Sequence, residues 1–263
     1  MRRVASSMVM TGIALLFAPV VMAQPTSGYD VSWNDCIGLP GAAANLDYAC
    51  DGSRDGNPFK LVVTFVPPIE LPNFAGVQVT LQFRTQSLQL LPDWWRLDQG
   101  ECHEGAIEFP SPRAGIGSGA IGVCIDPWAS TDSVGGGYQW RSGETEYGGT
   151  APGFGTLKLA FASATPVPLQ PAQRYLLPPI LIDPVATGEE TCAGCELPGC
   201  IAVTQVELYQ VVGSPGGDII SMQYRPIERL FVTWQGGAIG GSGCPAEVPA
   251  KRATWGAIKA IYR

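Results

Sequence analysis

His103 is the one histidine of the chain, so a serine or cysteine nucleophile would need it as its base. It stands in Glu101-Cys102-His103-Glu104, beside a cysteine suited to a disulfide, and no Gly-x-Ser-x-Gly elbow occurs to present a serine. An exposed loop histidine is therefore the expectation, and a histidine-based zinc enzyme lacks ligands. Carboxylates alone can hydrolyse glycosides, one as acid and one as base or nucleophile. Among 23 acidic residues such pairs arise from composition alone; Glu101 with Glu104 and Glu144 with Glu146 are the nearest in sequence. The sequence reads as non-catalytic.

Two stretches invite a cofactor. Asp51-Gly52-Ser53-Arg54-Asp55-Gly56-Asn57 sets side-chain oxygens at Asp51, Ser53, Asp55 and Asn57, with a glycine for the sharp turn of a calcium loop. Against it, the position of the closing bidentate acid holds Val62, and Arg54 brings a positive charge to the ion. A polar turn and no cofactor is the expectation, with calcium the competing reading. Gly117-Ser118-Gly119-Ala120-Ile121-Gly122 spells a dinucleotide fingerprint, but it leads into Val123-Cys124-Ile125, a strand rather than the helix whose N-terminus would hold a pyrophosphate.

Aromatic side chains gather at Trp94, Trp95, Trp128, Tyr138 and Trp140. Exposed on a sheet or loop, such rings stack on sugars; turned inward, they fill a core. Adjacent Trp94 and Trp95 on a strand would point to opposite faces, which commits at least one of them to the interior.

Eight cysteines, Cys36, Cys50, Cys102, Cys124, Cys192, Cys195, Cys200 and Cys244, form an even set. The two-residue spacing of Cys192 and Cys195, followed by Cys200, would suit zinc, whereas an oxidising compartment favours disulfides. The N-terminus argues for that compartment. Arg2-Arg3 precede an apolar run to Val21, and Val21-Met22-Ala23 closes with small residues at the cleavage positions of a Sec signal peptide, so residues 1–23 are expected to be removed. The run is interrupted by Thr11, Gly12 and Pro19, and is short for a spanning helix. Four disulfides are the expectation, with Cys36 joined to Cys50 and Cys102 to Cys124 by proximity, and the other four cysteines left open.

These candidates need elements to position them. Gly 33 and Pro 23 against four lysines describe a chain of many turns and little exposed helix. Val77-Gln78-Val79-Thr80-Leu81-Gln82-Phe83-Arg84 alternates apolar and polar residues, the pattern of a strand with one face buried and one wet. Residues 60–66, 155–162, 175–182, 201–209, 218–224 and 230–234 are further strand candidates. The glycine-rich stretches 114–122, 135–137, 148–155 and 236–243 read as connections. Regular short strands without helical patterns predict an all-β, jelly-roll-like β-sandwich over residues 24–245.

The last residues differ. Over residues 246–263 a linker leads to a basic amphipathic segment in which Thr254 can cap a helix and Trp255, Ile258, Ile261 and Tyr262 fall on one face. So short a helix needs a docking partner, which makes these four side chains the candidates for assembly or anchoring.

Trp33-Asn34-Asp35-Cys36, Pro92-Asp93-Trp94-Trp95, the cysteine knot at 192–200, Phe231-Val232-Thr233-Trp234-Gln235-Gly236-Gly237 and the closing Thr-Trp-Gly-Ala-Ile-Lys together resemble a group of secreted bacterial proteins of no known activity. The resemblance implies an exported bacterial context and assigns no residue a role.

Net charge is −7, and −9 once Arg2 and Arg3 are removed, which excludes nucleic acid and anionic membrane as partners that need basic patches. The sequence thus predicts a secreted or cell-surface β-sandwich without a transmembrane span. It would bind a ligand or assemble on a surface, with a glycan, a surface protein or like subunits as partner. A filament or surface-layer subunit and a carbohydrate-binding module or carboxylate glycosidase are the competing readings.

Overall fold

The alternation at 77–84 lies in the longest-buried strand of a seven-stranded sheet. In the computed structural model, which describes residues 27–50, 58–85, 90–109, 124–129, 134–144, 149–184, 192–222 and 231–236, β4 (Leu71–Thr85) turns Val77, Val79, Leu81 and Phe83 into the core. Its other face is not wet throughout, since Thr80 and Gln82 are buried as well.

The chain is all-β. A smaller sheet carries β1 (Gly28–Trp33), β3 (Phe59–Val66), β8 (Tyr175–Leu176), β9 (Ile180–Ile182) and β5 (Ile107–Glu108), in the order β1-β3-β9-β5 with β8 also on β3. The larger sheet runs β2 (Asn45–Leu46), β12 (Phe231–Trp234), β10 (Gly199–Gln210), β4, β7 (Thr150–Leu169) and β6 (Val134–Glu144), with β11 (Ile219–Met222) on β10. One apolar core joins them: Tyr29, Val31, Phe59, Leu61, Val63 and Phe65 from the small sheet meet Val79, Leu81, Leu157, Leu159, Val206 and Leu208 from the large one. The outer face of β3 is covered too, because Val62, Thr64 and Val66 are buried. Asp30 on β1 pairs with Arg174 at 2.8 Å, both buried, and ties the first strand to the segment before β8.

Several expected elements take a different form. The run 175–182 is two short strands, because Leu177-Pro178-Pro179 lies between them and prolines have no amide to give to a ladder. The run 155–162 is the middle of a much longer strand, β7, which also absorbs most of the 148–155 connection. The Gly135–Gly137 connection is part of β6, an eleven-residue strand paired with β7 from Val134↔Ser163 to Glu144↔Thr150. Trp94 and Trp95 lie in a single turn of 3-10 helix (Asp93–Trp95), so the alternation of strand faces does not apply and both are buried.

The disulfide pairing by proximity is overturned. Cys36 joins Cys124, Cys50 joins Cys195 and Cys102 joins Cys192, across 88, 145 and 90 residues. Loop closure costs little more for a long loop than for a short one, so packing rather than sequence distance decides partners. Cys200 is also disulfide-bonded; Cys244 lies outside the described residues. So do residues 1–23, the Asp51–Asn57 loop, the 117–122 glycine stretch and the tail with Trp255, Ile258, Ile261 and Tyr262. Among the described residues no helix is long and apolar enough to cross a membrane.

Candidate functional site

The side chains with most chemistry are inside the molecule. His103 is fully buried, which corrects the expectation of an exposed loop histidine. The turn after Asp98 folds back on the 3-10 helix, so that the backbone amide of His103 donates to the Arg96 carbonyl and the ring lies 4.4 Å from the Trp94 ring, centroid to centroid. Nδ1 donates to the Trp94 carbonyl at 2.8 Å, which assigns the proton to that nitrogen. Among the described residues Nε2 meets no hydrogen-bond partner, although the backbone and charge of Asp183 favour the protonated ring. Burial outweighs that help together with the Trp94 carbonyl and holds the imidazole below its ordinary value of 6.5.

The adjacent carboxylates are engaged locally. Glu101 receives Arg96 at 2.6 Å, and Asp93 shares the same guanidinium at 3.2 Å. Glu104 accepts the Gly100 amide at 2.7 Å, closing a turn. Glu144 ends β6, and Glu146 lies outside the described residues. Among the described residues no group of three or more histidine, cysteine or acidic side chains converges as for a metal ion.

Four of the five candidate stacking aromatics are also core, the inward one of the two arrangements open to them. Trp94 and Trp95 pack on Trp234 at 6.1 and 5.3 Å between centroids. Trp128 stacks on Phe74 at 5.5 Å. Trp140 meets Phe83 edge-on at 4.8 Å and donates its indole N–H to Ser142 at 2.9 Å. Its ring covers Gly155, where an added Cβ would come within 2.3 Å of it. The physical reason is area: indoles dominate core burial wherever packing is available. Tyr138 alone keeps an open side, at 39% exposure, with Phe109 5.5 Å away. Its hydroxyl is raised above the usual phenol value, first by burial and then by the charge of Glu104.

The far edge and outer face of the large sheet stay accessible. Outward from β4, Gly76 and Gln78 are followed by Ala162 and Ala160 on β7 and by Gly135 and Gly137 on β6, in register. On the other side of β4, Tyr209 and Glu207 of β10 pair with Gly76 and Gln78. The small side chains leave an open groove of about 400 Å³ bordered by Tyr209 and Gln78. Tyr209 donates its hydroxyl to Glu207 at 2.7 Å, and Gln205 donates its amide to the same carboxylate at 2.9 Å, so β10 presents a fixed polar row along the groove. The Glu207 hydrogen bond, more than burial, raises the Tyr209 hydroxyl.

At the end of this face β6 is an edge strand. Among the described residues it pairs with β7 alone, so its second row of amides and carbonyls meets no described strand. Natural edges are guarded by lysine, proline, inward charge or a bulge. From Val134 to Trp140 β6 has no charge and no proline, and its one irregularity, at Gly143 with φ +73°, comes only after Ser142. The sequence did carry a signal for this strand: Val134, Tyr138 and Trp140 alternate with Gly137, Gln139 and Arg141, a period of two masked by the glycines. No family model matches the chain, and no curated protein or solved structure matches it.

Proposed function

We propose that this chain is an exported, non-catalytic module that joins an extracellular or cell-surface assembly by accepting a strand at β6. The observation that carries the reading is the unguarded edge of β6, whose outward amides and carbonyls meet no described strand and form a template for strand addition. Export fits the cross-links, which persist in oxidising compartments. The burial of His103 and of the described tryptophans fits a role in which side-chain chemistry maintains the fold and backbone meets the partner.

The purified, oxidised protein examined by size exclusion with light scattering and by electron microscopy tests the reading. Gly135 and Gly137 have open space where a Cβ would go, so the Gly135→Lys/Gly137→Lys variant should fold normally while guarding the edge. Assemblies that disappear in this variant are the expected result. A monomer at every concentration, or assemblies indifferent to the two lysines, would overturn it. Deleting residues 246–263 in parallel separates an edge-driven assembly from a tail-driven one.

A glycan-binding reading is favoured by a different observation, the groove with Tyr209, Gln78 and the Gln205-Glu207 row, since a ring edge with fixed amides and a carboxylate suits a neutral polyol. Glycan-array binding lost on Tyr209→Ala would support it; binding unchanged by that substitution would exclude the groove.

A further inference from the structure

We infer that the strand accepted by β6 is β6 of a second copy, laid antiparallel about a two-fold axis through Tyr138. The inference rests on the strand-addition reading and names its partner. The regular part of β6, from Val134 to Ser142, faces β7 without a register break, and its midpoint is Tyr138. A two-fold axis there pairs Val134 with Ser142, Gly135 with Arg141, Gly136 with Trp140 and Gly137 with Gln139 of the other copy. The three glycines thus oppose the three large side chains that follow Tyr138. A period of two keeps directly opposed residues on the same face. Arg141 then lies outward beside Gly135, on the groove side, and Trp140 lies inward beside Gly136.

Charge agrees with this pairing. The chain carries −7, but β6 holds one cation, Arg141, and one anion, Glu144. Like charges nowhere stand opposite each other in this register, so the edge is neutral where the rest of the protein repels its copy. The residue on the axis is Tyr138, the half-exposed member of the inner aromatic row with Phe109 and Phe161. Opposed to itself, it covers the open side that the single copy leaves. A closed two-fold contact of this kind is isologous and ends at a dimer, with the two large sheets continuous across the axis.

A cysteine scan of the full oxidised chain tests the register. Directly opposed residues of an antiparallel pair have Cα atoms about 4.5–5.5 Å apart, within disulfide reach. Tyr138→Cys should therefore link to itself under mild oxidation. Gln139→Cys should not, and neither should Val212→Cys on the exposed turn after β10. Peptide mapping by mass spectrometry identifies the 138–138 link against the native disulfides. Gly137→Lys, which folds irrespective of Tyr138, should weaken dimerisation several-fold by sedimentation. A self-link at Gln139 or equal linking at Val212 overturns the register. Association that is lost in Gly135→Lys/Gly137→Lys while Tyr138→Cys stays unlinked overturns β6 of the second copy as the accepted strand and leaves strand addition standing. A wild-type monomer removes both.

Discussion

Around Trp234 the protein concentrates its distinctive residues: Trp33, Tyr48, Phe59, Trp94 and Trp95 surround one indole, whose N–H donates to the Cys195 carbonyl. Two disulfides, Cys50–Cys195 and Cys102–Cys192, tie the same 192–195 segment to distant parts of the chain. At the far edge of the same sheet, β6 and the outer side of β7 present glycine and alanine, with open backbone and no cysteine. The contrast teaches where to look for function. The described histidine, tryptophans and cysteines, the residues that first suggest a site, are occupied in cohesion, and the surface proposed to meet a partner is one whose side chains are small.

The largest effect should come from the crowded region. Trp234→Ala removes a buried indole from five ring contacts and one hydrogen bond, and is expected to cost about 3–5 kcal/mol in urea unfolding. A loss below about 1 kcal/mol would mean that the region is not the stability centre described here.

Next in size is a contrast inside β6 itself. A Cβ on Gly136 would come within 2.2 Å of the Phe161 ring, whereas Gly135 and Gly137 face open space. Gly136→Ala should destabilise by about 1–3 kcal/mol through overpacking, while Gly137→Ala should stay within about 0.5 kcal/mol of wild type. Equal effects in parallel melts would erase the distinction between the inward and outward glycines. The same geometry makes lysine at Gly135 and Gly137 a probe of assembly rather than of folding.

The smallest effect belongs to His103. Its folded-state value lies below 6.5 because burial disfavours the cation. The unfolded chain therefore takes up the proton first, and the stability contributed by the neutral ring is complete above the unfolded value and lost as pH falls below it. Unfolding titrations between pH 8 and 5 should show a decline that flattens in His103→Gln. An unchanged slope in that variant would assign the decline to other groups.

The all-β class was legible because alternation survives at β4, β10 and β12, where inward residues are large and bounded by glycine, proline or aspartate. Strand β6 was not, since Gly135, Gly136 and Gly137 carry no side chain for a period to act on, and glycine equally marks turns. His103 was misplaced, and Trp94–Trp95 were set on a strand instead of a turn, for a related reason: burial depends on which segments fold back over a residue, and the 96–106 turn returns onto the 3-10 helix only in three dimensions.

Composition and pattern by themselves determined a turn-rich, all-β chain with an even cysteine set, because secondary structure and net charge are local or additive properties of the residues. Disulfide partners, the burial of the lone histidine and the edge position of β6 were decided by tertiary structure. Each depends on which distant strands become neighbours, and strand order follows from the joint packing of the two sheets rather than from any single stretch of sequence.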